Sequence, residues 1–126
     1  MSKYIDNNAY NRLENAKGDK THYEKYVNAF DYKYGNNNKR YIFNEPYRLI
    51  VSKINGNDVP FWYCVQDENL GIEIMEESQA EAIEAFYSEI DMLWNVYATE
   101  EDDKLAKRAL LLKTKVRDLI KEVKLL

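Results

Sequence analysis

The chain of 126 residues has one cysteine, one histidine, two prolines and four glycines, and these shortages remove whole classes of chemistry. A lone cysteine, Cys64, forms no intramolecular disulfide, and its apolar, strand-like surroundings read as a buried, inert thiol in a reducing compartment. His22 and Cys64 together are too few ligands for a structural zinc site. Four glycines supply no phosphate-cradling loop. His22 has no identifiable nucleophile beside it, so it reads as a surface or capping residue rather than a catalytic base. Asp67-Glu68, Glu76-Glu77 and the run Glu100 to Asp103 lack the glycine-containing spacing of an EF-hand loop and read as solvated carboxylates. Neither catalysis, a metal nor a cofactor is expected. Apolar runs extend only a few residues, too short for a membrane span, and the amino terminus MSKYIDNN has no secretory hydrophobic core. The expected location is the cytoplasm.

Charge is plentiful, and it is sorted. Pro46 to Asp103 hold fourteen Asp and Glu against Arg48 and Lys53, a net of −12. Lys104 to Leu126 hold eight Lys and Arg against Asp118 and Glu122, a net of +6, and residues 1–45 add +2. An acidic helix followed at once by a basic one predicts that the two pair and that an acidic surface remains for a basic partner. Eleven tyrosines and an apolar fraction of 45% argue for a packed core. Thirteen lysines against five arginines, with abundant Asn, Tyr and Ile, fit an AT-rich coding sequence such as that of a low-GC bacterium or one of its phages.

The expected architecture is α+β: a small antiparallel sheet with Tyr-rich amino-terminal helices and two long carboxyl-terminal helices. One domain is expected over residues 1–126, made of a Tyr-rich helical segment (1–45), a ββ(β)α core (46–98) and a basic helix (99–126). Thr21 and Glu24 have capping-box spacing, Tyr23, Tyr26, Val27 and Phe30 make a helical stripe, and Gly35 stands at a C-cap position. These predict a helix over 20–34, with a weaker one over 7–16. Alternation from Tyr47, a turn at Asn55-Gly56 and a returning run from Phe61 predict a hairpin over 47–66, with a third strand over 72–75. Ser78-Gln79-Ala80-Glu81 opens a helix over 78–98, with Ile83, Phe86, Tyr87, Ile90, Leu93, Trp94 and Tyr97 on its apolar face. Leu105, Ala109, Leu112, Val116, Leu119 and Val123 follow a heptad seam, which predicts a final helix over 103–124. Leu105, Leu112, Val116 and Leu119 of that seam either pack within the monomer or close a homodimer.

The stretch Tyr47 to Tyr97 resembles the small domain of HicB-like antitoxins and their orphan relatives in phages and prophages. The matching residues are Gly71 and Ser78-Gln79-Ala80-Glu81-Ala82-Ile83, after the two or three strands. Gln66 to Gly71 replace the family's Pro-Asp-Leu-Pro-Gly turn. The resemblance implies a ββ(β)α core used for binding.

The functional expectation is a non-enzymatic inhibitor that blocks a bacterial host protein, a defence nuclease or a toxin, in the manner of an anti-CRISPR protein. An antitoxin-like or regulatory module is the alternative. The acidic residues Glu73, Glu76, Glu77, Glu81, Glu84 and Asp91 are the expected contact set, mimicking a phosphate backbone. Tyr32, Tyr34, Arg40 and Tyr41, around the Asn-rich loop, form a second group, since Tyr suits interfaces. Direct nucleic-acid binding is not expected, because the basic tail is neutralised in part by its acidic neighbour.

Overall fold

The computed structural model describes residues 21–126, and strand rather than helix dominates it. The strands are β1 (Thr21–Tyr34), β2 (Asn37–Asn55), β3 (Phe61–Asp67) and β4 (Ile72–Glu76). Helix α1 (Gln79–Leu93) follows, with a π turn over Trp94–Ala98. A 3-10 turn (Asp102–Lys104), helix α2 (Lys107–Leu119) and β5 (Ile120–Leu125) complete the chain. The five strands form one sheet in the order β1-β2-β3-β4, with β5 also paired to β2.

This corrects the α+β expectation of helical amino-terminal and carboxyl-terminal segments. Residues 21–34 are a strand, not a helix. Their Tyr, Val, Phe and Thr suit a pleated surface as well as a helical stripe. Of the four stripe residues, Val27 and Phe30 are buried, while Tyr23 and Tyr26 are exposed. Gly35, expected to cap a helix, has φ 58° and opens the two-residue connection Gly35-Asn36 between β1 and β2. A positive φ at the first central position suits a type II′ hairpin turn. The expected helix over 7–16 lies outside the described residues.

The basic tail is corrected as well. The heptad seam stops at Leu119, because Ile120 turns extended (φ −100°, ψ 120°) and starts β5. β5 runs antiparallel to β2 with Lys39↔Leu125, Tyr41↔Val123 and Phe43↔Ile120. The ladder bonds offered by β2 therefore override the helical pattern, and Val123 never joins the seam. Val116 is wholly buried within the chain.

Expectations for the middle of the chain fare better. The β2–β3 hairpin forms, with Ser52↔Cys64 and Asn55↔Phe61, and β3 pairs in turn with β4. Its connection is longer than a tight Asn-Gly turn: residues 56–60 separate the strands, and Gly56 N–H donates to the Pro60 carbonyl at 3.2 Å. Gly56 has no positive φ; a Cβ there would collide with the Val59 carbonyl. Asp67 Oδ1 accepts from the Leu70 N–H at 3.0 Å, and Gly71 (φ 68°) completes the β3–β4 turn. Ser78 Oγ accepts from the Glu81 N–H at 3.1 Å, so the serine half of the expected capping box starts α1.

By packing, the chain divides into two compact units. Of the described residues, the first comprises 21–25 and 49–86, the second 26–48 and 87–126. In the first, Ile54, Cys64 and Met75 cluster on one side of the strands with Trp62 against them, and Val65, Ile72, Ile74 and Phe86 are also buried. His22, on β1 rather than in a helix, is exposed and lies 3.2 Å from Ser52 Oγ through Nδ1. In the second, Phe30 stacks between Tyr87 (4.4 Å) and Tyr41 (5.0 Å), and Trp94 meets Tyr41 edge-on at 6.4 Å. Here α2 is fastened to the chain that follows the π turn. Lys113 Nζ donates to the Glu100 carbonyl at 2.5 Å and to Asp102 at 2.7 Å, and Arg117 donates to the Ala98 carbonyl at 3.1 Å.

Candidate partner-binding surface

Apart from the buried Glu76, the first unit carries most of its carboxylates on the outside between Leu49 and Phe86. Between Leu49 and Phe86 there are eight Asp and Glu and one basic residue, Lys53. That lysine lies over the Phe61 ring at 3.9 Å. Along β4, Ile72, Ile74 and Glu76 share one buried side, while on the other Met75 is buried as well and Glu73 is exposed. Glu77 precedes the Ser78 cap, and Glu81 and Glu84 stand on the outer side of the first turns of α1; all three are exposed. Glu77 has a partner within the chain, whereas Glu73, Glu81 and Glu84 have no cation paired to them among the described residues. Glu77 and Glu81 also lie at the positive end of the helix dipole, so the helix tolerates them where they are.

The second unit places its share of the expected contact residues differently. Tyr41 is fully buried and Asp91 nearly so. The Tyr41 hydroxyl donates to Asp91 Oδ1, whose carboxylate also meets Lys39 Nζ at 3.7 Å. Lys39 donates to Asn95 Oδ1 at 3.0 Å. Burial first, and then the bond to Asp91 and its charge, push the Tyr41 hydroxyl far above the ordinary tyrosine range, so it remains a donor. This network ties β2 to α1. Arg40 is exposed but engaged, donating to Asp31 from Nε at 2.7 Å. That bond draws the Asp31 carboxyl below its usual range. Tyr32 is half-buried with its hydroxyl 3.5 Å from Ser88 Oγ, and Tyr34, 71% exposed beside the β1–β2 turn, projects freely into solvent.

The ten expected contact residues thus stand in different settings. Glu76, Tyr41 and Asp91 are interior, and Arg40 and Tyr32 have partners within the chain. Glu73, Glu77, Glu81 and Glu84 make an exposed acidic patch in the first unit, and Tyr34 stands alone in the second. Of the seam residues named for a dimer, Val116 is interior, and Leu105, Leu112 and Leu119 are half-buried. The exposed leucine of α2 is Leu111. Among the described residues no three His, Cys, Asp or Glu side chains gather to hold a metal, and no helix is long and apolar enough to cross a membrane. No protein-family model, curated protein or solved structure matches the chain.

Proposed function

We propose that the protein is a non-enzymatic binding protein that inhibits a basic, nucleic-acid-handling host protein, as a phage-encoded anti-defence factor would. The observation that carries the reading is the patch of exposed carboxylates Glu73, Glu77, Glu81 and Glu84. Three of these have no cation to neutralise them among the described residues. Uncompensated surface charge of one sign raises the on-rate for an oppositely charged partner and rejects partners of like charge. Glu73 stands on a strand and Glu81 and Glu84 on a helix, so these carboxylates are borne by regular elements rather than by loops.

The test is capture from a low-GC bacterial lysate by wild type and by a Glu73→Lys, Glu81→Lys, Glu84→Lys variant, followed by elution with duplex DNA. The reading predicts a basic nucleic-acid-binding protein that DNA releases from wild type and that the variant does not retain. A small toxin-sized partner, held by wild type and indifferent to DNA, would replace inhibition of a nuclease with toxin neutralisation. Retention of every partner by the folded variant would reduce the patch to a solvated surface.

A further inference from the structure

We propose that the second unit carries a separate binding site, a pocket for an organic cation on an alkyl stem such as a guanidinium or ammonium side chain. The pocket forms where the β2–β5 ladder ends. β5 accompanies β2 only to Phe43↔Ile120, after a register shift at Ile42/Phe43, and Pro46 then brings a residue without an N–H. Asn44 Nδ2 donates to the Asp118 carbonyl at 2.6 Å, which pins the end of α2 to the strand. Beside this pin lies a half-open pocket of about 400 Å³ walled by Asn44, Glu45, Pro46, Tyr47, Asp118 and Leu119. That volume falls at the lower end of small-ligand sites.

The lining selects the ligand. Glu45 and Asp118 are exposed at the pocket, and neither carboxylate is ion-paired among the described residues. Tyr47, stacked on Phe43 at 5.9 Å between ring centroids and with a further partner within the chain, supplies one wall of the pocket. Pro46 and Leu119 add apolar surface for methylene groups, which long cationic side chains cover readily. Arg48 also borders the pocket, but it has an interaction of its own within the chain. An anionic ligand would face two carboxylates, and a neutral apolar one would strip them of water without compensation. A cation with a short hydrocarbon stem satisfies both features.

The test titrates the full chain, ¹⁵N-labelled, with N-acetyl-L-arginine amide, with agmatine, and with N-acetyl-L-citrulline amide as the neutral isostere of the first. Saturable amide shifts at Asn44, Glu45, Tyr47, Arg48 and Asp118 are expected from the two cations at millimolar concentration, and none from citrulline. Tighter binding of the acetylated amide indicates a partner's side chain as the natural ligand, and tighter binding of agmatine a free amine. Glu45→Gln and Asp118→Asn, exposed and nearly isosteric, are each expected to weaken binding about two- to fivefold, as loss of one partly solvated ion pair does. Unperturbed shifts elsewhere verify that both variants are folded. Equal shifts from citrulline, undiminished affinity in both variants, or no saturable shift from either cation would overturn the proposal.

Discussion

In the first unit, eight carboxylates between Leu49 and Phe86 share one lysine, and that lysine is spent on an aromatic ring. In the second unit, ten acidic residues meet twelve basic ones, and the contacts are specific: Arg40 with Asp31, Lys113 with Asp102, Lys39 with Asp91. Two of the second unit's cations, Lys113 and Arg117, also bond main-chain carbonyls between α1 and α2. Charge in the second unit therefore holds elements together, while Glu73, Glu81 and Glu84 of the first face water with no cation paired to them among the described residues. A paired group is constrained to its partner, and removing one side of a buried pair strands the other. An unpaired exposed carboxylate can be changed at little cost to the fold, so it is free to serve recognition.

The contrast is sharpest at Tyr41. Tyr41→Ala removes a fully buried ring stacked on Phe30 and leaves Asp91 without its donor. A loss of about 3–5 kcal/mol in urea unfolding is expected, as for other large aromatic truncations. Tyr41→Phe keeps the ring and isolates the hydrogen bond, and should cost about 1–3 kcal/mol. If Tyr41→Phe proved neutral, the Asp91 network would not be structural and its place in the comparison would fall.

Glu89 gives the next effect and has a pH signature. It is buried, and burial raises its pKa above the ordinary 4.5. A carboxyl whose folded pKa is raised lends stability below its unfolded pKa, and that contribution is lost as pH rises through the folded value. Glu89→Gln is expected to flatten this fall, so the stability difference between variant and wild type should grow in the variant's favour from pH 4.5 upward. Parallel unfolding curves across pH check it; a constant difference would contradict the assignment. The smallest effect is expected in the first unit. Glu73→Lys and Glu84→Lys should each change unfolding free energy by about 0.5 kcal/mol or less, and Glu81→Lys, which reverses a charge at the positive end of α1, by about 1 kcal/mol.

The sequence reveals those parts of the molecule that rest on local signals. Alternation and turn residues show the β2–β3 hairpin and β4, and Ser78 shows the start of α1, because each depends on neighbours within a few residues. Gly35 misleads, since a positive φ suits a helix end and a hairpin turn alike, and only the pairing of β1 with β2 decides. The end of α2 misleads for the same reason: nothing between Leu119 and Val123 breaks the heptad, and the competing ladder comes from residues 39–43.

Among the candidate contact residues, Glu81 and Glu84 can be read as exposed from helical periodicity, whereas Glu73 shares its parity with the buried Met75. Glu76 carried a legible warning, since it shares the parity of Ile72 and Ile74. Asp91 did too, sitting one turn from both Tyr87 and Trp94. The Tyr41–Asp91 bond spans fifty residues and leaves no local trace. The Glu45–Asp118 pocket likewise joins two segments with no shared motif.

The most direct test of the contrast compares partner capture by two charge-reversed variants of equal charge change. One carries Glu73→Lys, Glu81→Lys and Glu84→Lys in the first unit; the other carries Glu101→Lys, Asp103→Lys and Glu122→Lys at exposed sites in the second. Loss of the DNA-releasable partner in the first variant, with retention in the second, is the predicted result. Equal loss in both would mean that net charge alone governs binding, and retention in both would mean that the acidic patch plays no part in it.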